Sequence, residues 1–309
     1  MFKLPLPFSE MYCLMEQKEP FFSIIIPTYN RPDQLRRCLE SLVCLDYPRD
    51  QFEVIVVDDG SPVIPEAILV CFRDRINVKL FTQTRMGPAG ARNTGAKNAK
   101  GDFLAFIDDD CAPATNWLRN LSALFLHAPD FAVGGLTING LPNNLYSVAS
   151  QTIIDAAYAY YNPDPNQACF FASNNLAAAA DPFHAIGGFD VTFTISEDRD
   201  FCDRWLQHGY KMIYAPEVVV YHSHDLKFST FWRQHFNYGR GAYQYHHARA
   251  QRATGRFKPD YKFYRRLFIN PLIQERVRRG LWVMMFLFVS QVANVIGFSW
   301  EGLHRVKRR

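Results

Sequence analysis

Short apolar runs alternate with helix-like stretches through the first third of the chain. Each run holds four or five residues and is rich in β-branched or aromatic side chains, as buried strands are. Strands that alternate with helices predict an α/β fold with a parallel sheet and right-handed crossovers. The predicted strands are Ser23–Ile26, Glu53–Val57, Val78–Phe81 and Phe103–Ile107, and the predicted helices are Pro32–Val43, Pro65–Phe72 and one that begins at Gly87 and is stopped by Gly101.

Polar residues follow directly after three of the predicted strands. In a parallel sheet, ligands bind at the carboxyl ends of the strands. We therefore expect these three polar ends to converge on one crevice. The residues are Thr28, Tyr29, Asn30 and Arg31 after the first strand, Asp58 and Asp59 after the second, and Asp108, Asp109 and Asp110 after the last.

The three consecutive carboxylates at 108–110 repel one another, and folding alone does not require them. A bound cation would explain their presence. Asp108 and Asp110 form an i, i+2 pair that can reach one hard ion such as Mg²⁺ or Mn²⁺ through oxygen. The alternative is a solvated acidic loop that precedes the next helix.

The turn after the first strand contains no glycine; it reads Pro27-Thr28-Tyr29-Asn30-Arg31-Pro32. A dinucleotide-binding fold places a glycine-rich turn there, so that the backbone can approach a pyrophosphate. The sequence therefore argues against a nicotinamide or flavin enzyme.

Composition indicates a cytosolic protein with a substantial core. The chain has 309 residues and is 48% hydrophobic, and its seven cysteines show no Cys-x-x-Cys spacing. The first residues are broken by prolines and lack the apolar core of a signal peptide. Both observations favour a reducing compartment.

Charge is distributed unevenly along the chain. Residues 1–226 contain 17 Lys and Arg against 27 Asp and Glu, whereas residues 227–309 contain 17 against 3. The net charges are therefore −10 and +14. A basic segment on an acidic body predicts an anionic partner, either a membrane or nucleic acid. The basic and aromatic residues interleave at Trp232, Arg233, His235, Tyr238, Arg240, Tyr243, Tyr245, His246, His247 and Arg249.

The 20 residues at 281–300 carry no charge, which makes a membrane-spanning helix possible. A polar stripe on the same helix, with basic residues on both flanks, favours a helix lying in the membrane interface instead. Packing of this helix on its own domain is a further possibility. The stripe is Ser290, Gln291, Asn294, Gly297 and Glu301, and the flanks are Arg276, Arg278, Arg279, Arg305, Lys307, Arg308 and Arg309.

Six sequence pieces, in this order and spacing, resemble family 2 glycosyltransferases of the GT-A fold over residues 22–225. The resemblance implies a mostly parallel sheet with helices on both faces, followed by a basic helical segment. The pieces are I-I-I-P-T-Y-N-R at 24–31, V-I-V-V-D-D-G-S at 54–61, G-P-A-G-A-R-N-T-G-A-K-N-A-K-G at 87–101, F-I-D-D-D at 106–110, G-G-F-D at 187–190 and S-E-D-R-D-F at 196–201.

The resemblance implies a nucleoside-diphosphate-sugar donor, with a UDP-sugar favoured because Asp59 would accept a hydrogen bond from the pyrimidine N–H. The alternative for Asp59 is a helix cap or an Asx-turn. Asp108 and Asp110 would hold Mg²⁺ or Mn²⁺, with His222 as a candidate third ligand and His224 as a weaker one. The implied donor-binding residues are Pro27, Thr28, Tyr29, Arg31, Asp59, Arg92, Asp108 and Asp109.

Asp198 matches the general base of the family, which takes the proton of the acceptor hydroxyl during inverting transfer. The alternative is that Glu197, Asp198 and Asp200 only favour a helix N-terminus. Asn174, Asn175, Gly188 and Glu197 would lie on the acceptor side. This chain departs from the family pattern there at Ala177–Asp181 and Val191, and it lacks the Gln-x-x-Arg-Trp motif of processive synthases.

The sequence therefore predicts an inverting, metal-assisted glycosyltransferase that adds single sugars to a lipid-linked or saccharide hydroxyl at the inner face of the cell membrane. Nucleic acid is not expected as a partner. A catalytically inactive relative that binds nucleotide or glycan is the alternative. The predicted parts are a lead-in at 1–21, a nucleotide-sugar-binding half at 22–112, an acceptor-binding half at 113–225 and a basic membrane-associating segment at 226–309.

Overall fold

The computed structural model describes residues 19–255, 263–265, 267–269 and 277–306. Eight strands within these residues form one sheet, in which mostly apolar and fully buried segments occupy the centre. In chain order they are β1 (Phe22–Thr28), β2 (Phe52–Asp58), β3 (Val78–Thr82), β4 (Phe103–Ile107), β5 (Cys111–Pro113), β6 (Ala132–Asn139), β7 (Asn175–Ala179) and β8 (Met212–His222).

The sheet is parallel in its first half and mixed in its second, with the order β3-β2-β1-β4-β7-β6-β8-β5. Strands β1 to β4 pair in parallel, as the sequence predicts. Strand β7 runs antiparallel to both of its neighbours, β4 and β6. Strand β6 is parallel to β8, and β5 is antiparallel to it. The four strands predicted in the first third of the chain and the predominance of parallel pairing are confirmed. The strand expected before His222, at Val218–Tyr221, is the last part of β8, whereas β5, β6 and β7 were not predicted.

Helices cover both faces of the sheet, because alternate residues of each buried strand point to opposite sides. Ile24 packs with Leu35 and Leu39 on one face, and Ile25 packs with Ala91 and Phe201 on the other. The helices are α1 (Pro32–Val43), α2 (Glu66–Val70), α3 (Gly87–Lys97), α4 (Trp117–Phe125), α5 (Leu145–Tyr161), α6 (Ala180–Ala185), α7 (Glu197–Gln207), α8 (Phe228–Gln251) and α9 (Val277–Val306).

Helix α3 ends at Lys97, four residues before the glycine that was expected to stop it. Gly101 has a different role, because its backbone lies against β1. A Cβ atom at this position would come within 2.5 Å of the Ser23 backbone nitrogen. The glycine is therefore explained by close approach to the sheet.

Helix α9 packs against α8 through the polar stripe that the sequence analysis identified. Ser290 is fully buried, and Glu301 accepts hydrogen bonds from Arg240 Nε and Gln244 Nε2, each at 2.8 Å. A Cβ atom on Gly297 would lie 1.9 Å from the Phe236 carbonyl oxygen, so the two backbones meet directly. The stripe, which favoured a helix lying in the membrane interface, is part of the packing surface between the two helices, as the further possibility of packing on its own domain implies.

The opposite face of α9 is exposed and apolar. Within the described residues, α9 is the one helix long and apolar enough to cross a membrane, judged by length and composition. Its outward residues include Leu281, Trp282, Met285, Phe288, Val295, Ile296 and Leu303.

Arg278 is exposed, and Arg279 donates to the Pro142 carbonyl oxygen. The predicted roles of residues 1–18, Arg276, the Arg305 side chain and Lys307, Arg308 and Arg309 lie outside the described residues.

Candidate active site

One cavity of about 900 Å³ lies at the carboxyl ends of β1, β2 and β4, where the three polar segments were expected to converge. The start of α7 forms part of its wall, and α5, α8 and α9 extend it. Most of the predicted site residues line this cavity: Pro27, Thr28, Tyr29, Arg31, Asp59, Arg92, Asp108, Asp109, Asn174, Glu197, Asp198, His222 and His224.

Asp59 is held by the turn that begins α3. Its Oδ1 accepts hydrogen bonds from Gln83 Nε2 at 2.7 Å and from the Met86 backbone N–H at 2.8 Å, and its Oδ2 accepts one from the Gly87 N–H at 2.9 Å. The Asx-turn considered for this segment is made by the neighbouring Asp58, which accepts from the Ser61 backbone N–H. A carboxylate has about four acceptor positions, so Asp59 retains one for a ligand.

Arg92 joins two distant parts of the cavity wall. Its Nη2 donates to Asp108 Oδ1 at 2.6 Å, and its Nη1 donates to Glu197 Oε1 at 2.8 Å. The guanidinium is only 4% exposed and lies 5.7 Å from the centre of the Phe189 ring. One buried cation therefore fixes the carboxyl end of β4 against the N-terminus of α7.

Asp109 turns toward β1 and the residues that follow it. Its Oδ2 accepts from the Thr28 hydroxyl at 2.7 Å, and its Oδ1 accepts from Arg31 Nη1 at 3.1 Å. Burial raises the pKa of Asp109 to about 6, although the Arg31 charge opposes this shift. Asp109 therefore has a positioning role that connects β4 with the turn after β1.

Asp110 faces His222 at the end of β8, where the side chains could share an ion. Asp110 Oδ1 lies 3.2 Å from His222 Nε2, and its Oδ2 lies 3.1 Å from Arg31 Nη1. Burial alone would raise the pKa of Asp110, but His222 and Arg31 lower it below its usual range. Ligand atoms of Asp110, Cys111 and His222 all lie within 4.8 Å of one another. Cys111 was not among the ligands predicted from the sequence.

The two histidines of this region differ in their electrostatics. Burial opposes the charged form of His222, but the hydrogen bond and charge of Asp110 raise its pKa overall. Burial and the neighbouring His222 lower the pKa of His224 to about 4. His224 is therefore neutral at physiological pH, with its ring 5.0 Å from that of His222.

Asp198 lies in the first turn of α7, after Ser196 in a left-handed conformation with φ of 71°. Its Oδ1 accepts a hydrogen bond from the Arg199 backbone N–H at 2.7 Å. Burial and the adjacent charge of Glu197 raise the pKa of Asp198 well above its usual range. A carboxylate with raised proton affinity is suited to take a proton from a bound hydroxyl.

Two predicted acceptor-side residues lie outside the cavity wall. Asn175 is buried at a β-bulge, where its amide donates to the Leu136 and Val218 carbonyl oxygens and accepts from the Trp117 indole. Gly188 occupies a turn with φ of 64°, and a Cβ atom there would lie 2.6 Å from Asn93 Oδ1. Both residues shape the backbone around the site. Asn174 does line the cavity, near Thr137.

The part of the wall contributed by α5, α8 and α9 was not predicted from the sequence. Arg199 also lines the cavity, although it lies inside the S-E-D-R-D-F piece. A readable signal was present, because a cation in the first turn of a helix opposes the helix dipole. The additional wall residues include Ile153, Ile154, Ala157, Tyr160, Tyr161, Gln234, Tyr238, Val295 and Phe298.

Comparisons with known proteins agree on one family. A family model described as "Glycosyl transferase family 2" matches residues 23–192. The chain is 28% identical over 229 residues to glycosyltransferase AglE of Haloferax volcanii, covering 73% of this chain and 74% of that protein. It is 30% identical over 227 residues to the pre-mycofactocin glycosyltransferase of Mycobacterium tuberculosis, covering 71% of this chain but only 46% of that protein.

A solved structure with a similar fold is the mannosyltransferase PcManGT of Pyrobaculum calidifontis in complex with GDP-Man and Mn²⁺. The TM-score is 0.61, and the match covers 90% of this chain and 75% of that chain. Because the sequence identity is 21%, this likeness concerns the fold alone.

Arg92→Met should destabilise the protein by up to about 3–5 kcal/mol, because it leaves the buried Glu197 and the partly exposed Asp108 without their shared cation. Denaturant unfolding at neutral pH measures this loss. Arg119→Met is the control, because Arg119 is 47% exposed and its ion pair with Asp46 should contribute less than about 1 kcal/mol. Equal losses in the two variants would contradict the assigned role.

Proposed function

The chain belongs to glycosyl transferase family 2 and has its GT-A fold, and from this premise we propose that it transfers a sugar from a nucleoside-diphosphate sugar to an acceptor hydroxyl with inversion. The observation that carries the proposal is the convergence of Asp198, Arg92 and Asp108 on one cavity. The transfer needs a base, which Asp198 would provide, and groups that bind the diphosphate, which Arg92 and Asp108 would provide. The pathway we propose is the assembly of a cell-surface polysaccharide, glycolipid or glycan.

The proposed transfer is a single displacement. The acceptor oxygen forms a bond to the anomeric carbon of the sugar while the bond from that carbon to the diphosphate oxygen breaks. The electron pair leaves with the diphosphate, and Asp198 takes the hydroxyl proton. Burial and Glu197 raise the proton affinity of Asp198, which favours this role. No covalent intermediate with the protein is required.

The proposed donor site is the end of the cavity formed by β1 and β2. Thr28, Tyr29 and Asp59 would contact the base, and Asp59 retains one acceptor position at Oδ2. We favour a uracil base, because its ring N–H matches that position. The Arg85 guanidinium lies 4.0 Å from the centre of the Tyr29 ring and donates to the Tyr29 hydroxyl, which orients the ring.

The donor atoms at the ends of β4 and β8 fit a hard divalent ion. Asp110 offers a carboxylate oxygen, and His222 offers an imidazole nitrogen 3.2 Å from it. Asp108 is not part of the cluster of ligand atoms around Asp110, and its Oδ1 accepts a hydrogen bond from Arg92, so it would offer its other oxygen to the ion. These are ligand types suited to Mn²⁺ or Mg²⁺. When bound, the ion would neutralise charge that develops on the departing diphosphate. Arg31, which contacts Asp109 and Asp110, would hold the carboxylates in place.

We propose that the protein works at the inner face of the cell membrane, with the exposed apolar face of α9 against the lipid. The basic charge available for this contact is smaller than the sequence suggests, because Arg240, Arg249 and Arg252 form ion pairs within the protein. Burial of apolar side chains should therefore contribute more to binding than charge does. The acceptor would be lipid-linked or a saccharide.

Asp198→Asn should lower the transfer rate by roughly 10²–10⁴-fold and leave donor affinity unchanged, because a positioned base acts in the transition state. In the wild type, the rate should fall as pH decreases through the raised pKa of Asp198, and this limb should be absent in the variant. Transfer kinetics against pH and donor titration measure both. Asp181→Asn, at an exposed position, is the control. An equal loss of donor affinity would assign Asp198 a structural role instead.

Asp110→Ala and Asp108→Ala should abolish metal-dependent donor binding, because each removes a carboxylate ligand. Calorimetric titration of a nucleotide-sugar panel with Mn²⁺ and with a chelator measures this. Asp102→Ala removes an exposed carboxylate near the same strand and should bind donor like the wild type. Wild-type donor affinity in either site variant would refute the metal assignment. Absence of binding to every nucleotide sugar in the wild type would favour the catalytically inactive alternative.

Replacing Leu281, Met285 and Phe288 with serine should release the protein from vesicles, because these side chains supply part of the exposed apolar face of α9. Sedimentation with phosphatidylglycerol-containing and pure phosphatidylcholine vesicles measures this. Val63→Ser, 80% exposed and distant in sequence, is the control. Deletion after Asp225 is a poorer test, since it removes α8 and the fully buried Phe231. Unchanged sedimentation of the triple variant would refute the proposed membrane face.

A further inference from the structure

The cavity continues past Asp198 into a second part with a different character. This part is bounded by α5, α8 and α9, and its wall combines apolar and aromatic side chains with uncharged polar ones such as Gln151, Gln234 and Asn294. The polar groups of the nucleotide-sugar donor suit the first part of the cavity, where the carboxylates and Arg92 lie. The second part is therefore available to the acceptor. Its wall includes Ile154, Ala157, Tyr160, Val295 and Phe298.

Arg199 lies where the two parts of the cavity meet, one residue after the proposed base. Its guanidinium carbon is 5.7 Å from the centre of the Tyr161 ring and 5.6 Å from the centres of the Phe170 and Tyr245 rings. These rings come from α5, from the segment before β7 and from α8. None of those segments carries a predicted nucleotide-binding residue. Arg199 is therefore oriented by the acceptor side of the molecule.

The guanidinium of Arg199 has hydrogen-bonding capacity to spare. Arginine has five N–H donors. Within the described part of the chain, the side chain makes one hydrogen bond, a long one of 3.4 Å to the Tyr161 hydroxyl. Ring contacts hold the guanidinium plane but leave most of its N–H groups without an acceptor. The side chain lines the cavity, so these donors can reach a ligand.

Nearby arginines differ from Arg199 in having carboxylate partners. Arg92 pairs with Asp108 and Glu197, Arg204 pairs with Asp200, and Arg249 and Arg252 pair with Asp203. Across residues 19–255, no carboxylate lies within ion-pair distance of the Arg199 guanidinium. Its place in the first turn of α7 is also unfavourable, because the helix dipole repels a cation there. Within these residues, a positive charge is thus kept at the cavity wall without a direct ion pair, although it acts on the neighbouring Asp198 carboxylate at longer range.

We propose that the acceptor is an amphiphile with a phosphate group near the hydroxyl that receives the sugar, and that Arg199 binds this phosphate. The apolar wall between α5, α8 and α9 binds the chain of the amphiphile. A planar guanidinium can donate two parallel hydrogen bonds to phosphate oxygens, which suits Arg199 to this role. This inference rests on the proposed function, since it concerns the acceptor of the same transfer.

Three probes separate the contribution of the phosphate group to affinity from that of the alkyl chain. They are octyl phosphate, the neutral octyl glucoside and methyl phosphate, which lacks the octyl chain. Affinities are measured by tryptophan fluorescence with Mn²⁺ and a nucleoside diphosphate present. The wild type should bind octyl phosphate at least roughly tenfold more tightly than either other probe, given the strength of hydrogen bonds between charged groups. Arg199→Gln should bind octyl phosphate no better than octyl glucoside. Arg199→Lys, which keeps the charge and the ring contacts but not the planar fork, should retain part of the preference.

Arg233→Gln is the matched control, because it removes an exposed arginine of α8 that does not line the cavity. It should behave as the wild type. Equal affinity of the wild type for octyl phosphate and octyl glucoside would overturn the inference, and so would an unchanged preference in Arg199→Gln. Methyl phosphate binding as tightly as octyl phosphate would indicate a free-phosphate site and overturn the role of the apolar wall.

Donor binding in the same samples separates this inference from the proposed function. A wild type that binds a nucleotide sugar but does not discriminate between the octyl probes refutes the acceptor assignment alone. A wild type that binds no nucleotide sugar refutes the proposed transfer. Arg199→Gln should keep wild-type donor affinity, and thermal unfolding confirms that the variant is folded.

Discussion

The buried guanidinium of Arg92 is the interaction on which the arrangement of the site depends. It bridges Asp108, at the end of a central strand, and Glu197, 105 residues further along the chain from Arg92. Without a cation between them, these carboxylates would repel each other in a poorly solvated environment. Because Asp198 follows Glu197 directly, the position of the proposed base relative to the strand end is fixed by one side chain.

The acids around the cavity are neutralised in different ways, and these differences assign them different chemistry. Asp59 is satisfied by N–H donors at the start of α3, and Asp109 and Asp110 share Arg31. Asp198 has the weakest compensation, since its one hydrogen bond within the described residues comes from a backbone N–H. Its proton affinity is therefore raised, whereas that of Asp110 is lowered. The same residue type thus provides both a candidate base and a candidate metal ligand.

Local sequence patterns were sufficient to predict β1 to β4, because each of these strands is a short apolar run that ends in polar residues. They did not indicate β7. Three of its five residues are alanines, which have little intrinsic preference for strands. Its pairing with β4 and β6 comes from tertiary context, and small side chains fit where helices and the Phe171 ring pack closely.

The candidate site was predictable to the extent that its residues follow strand ends in recognisable motifs. Asn175 was misplaced because a motif does not distinguish an amide that faces a cavity from one that fills a β-bulge. The polar stripe of α9 raised a similar ambiguity. Sequence alone does not show whether Glu301 faces water or a partner such as Arg240, which lies 61 residues away. Long-range partners of this kind became visible only in the folded chain.

The contact between α8 and α9 restricts how the cavity can open. Gly239 of α8 lies against the Asn294 backbone, and Gly297 of α9 lies against the Phe236 backbone. Each helix therefore has a glycine where the backbone of the other helix approaches closely. If one helix slid along the other by one turn, side chains would clash with the backbone at these glycine positions. We therefore expect α8 and α9 to move together as one rigid body. A Cβ atom on Gly241 would lie 2.4 Å from Ser196 Oγ and 2.9 Å from the Ile195 carbonyl oxygen, just before α7. Movement of the helix pair would therefore also displace the turn that carries Asp198.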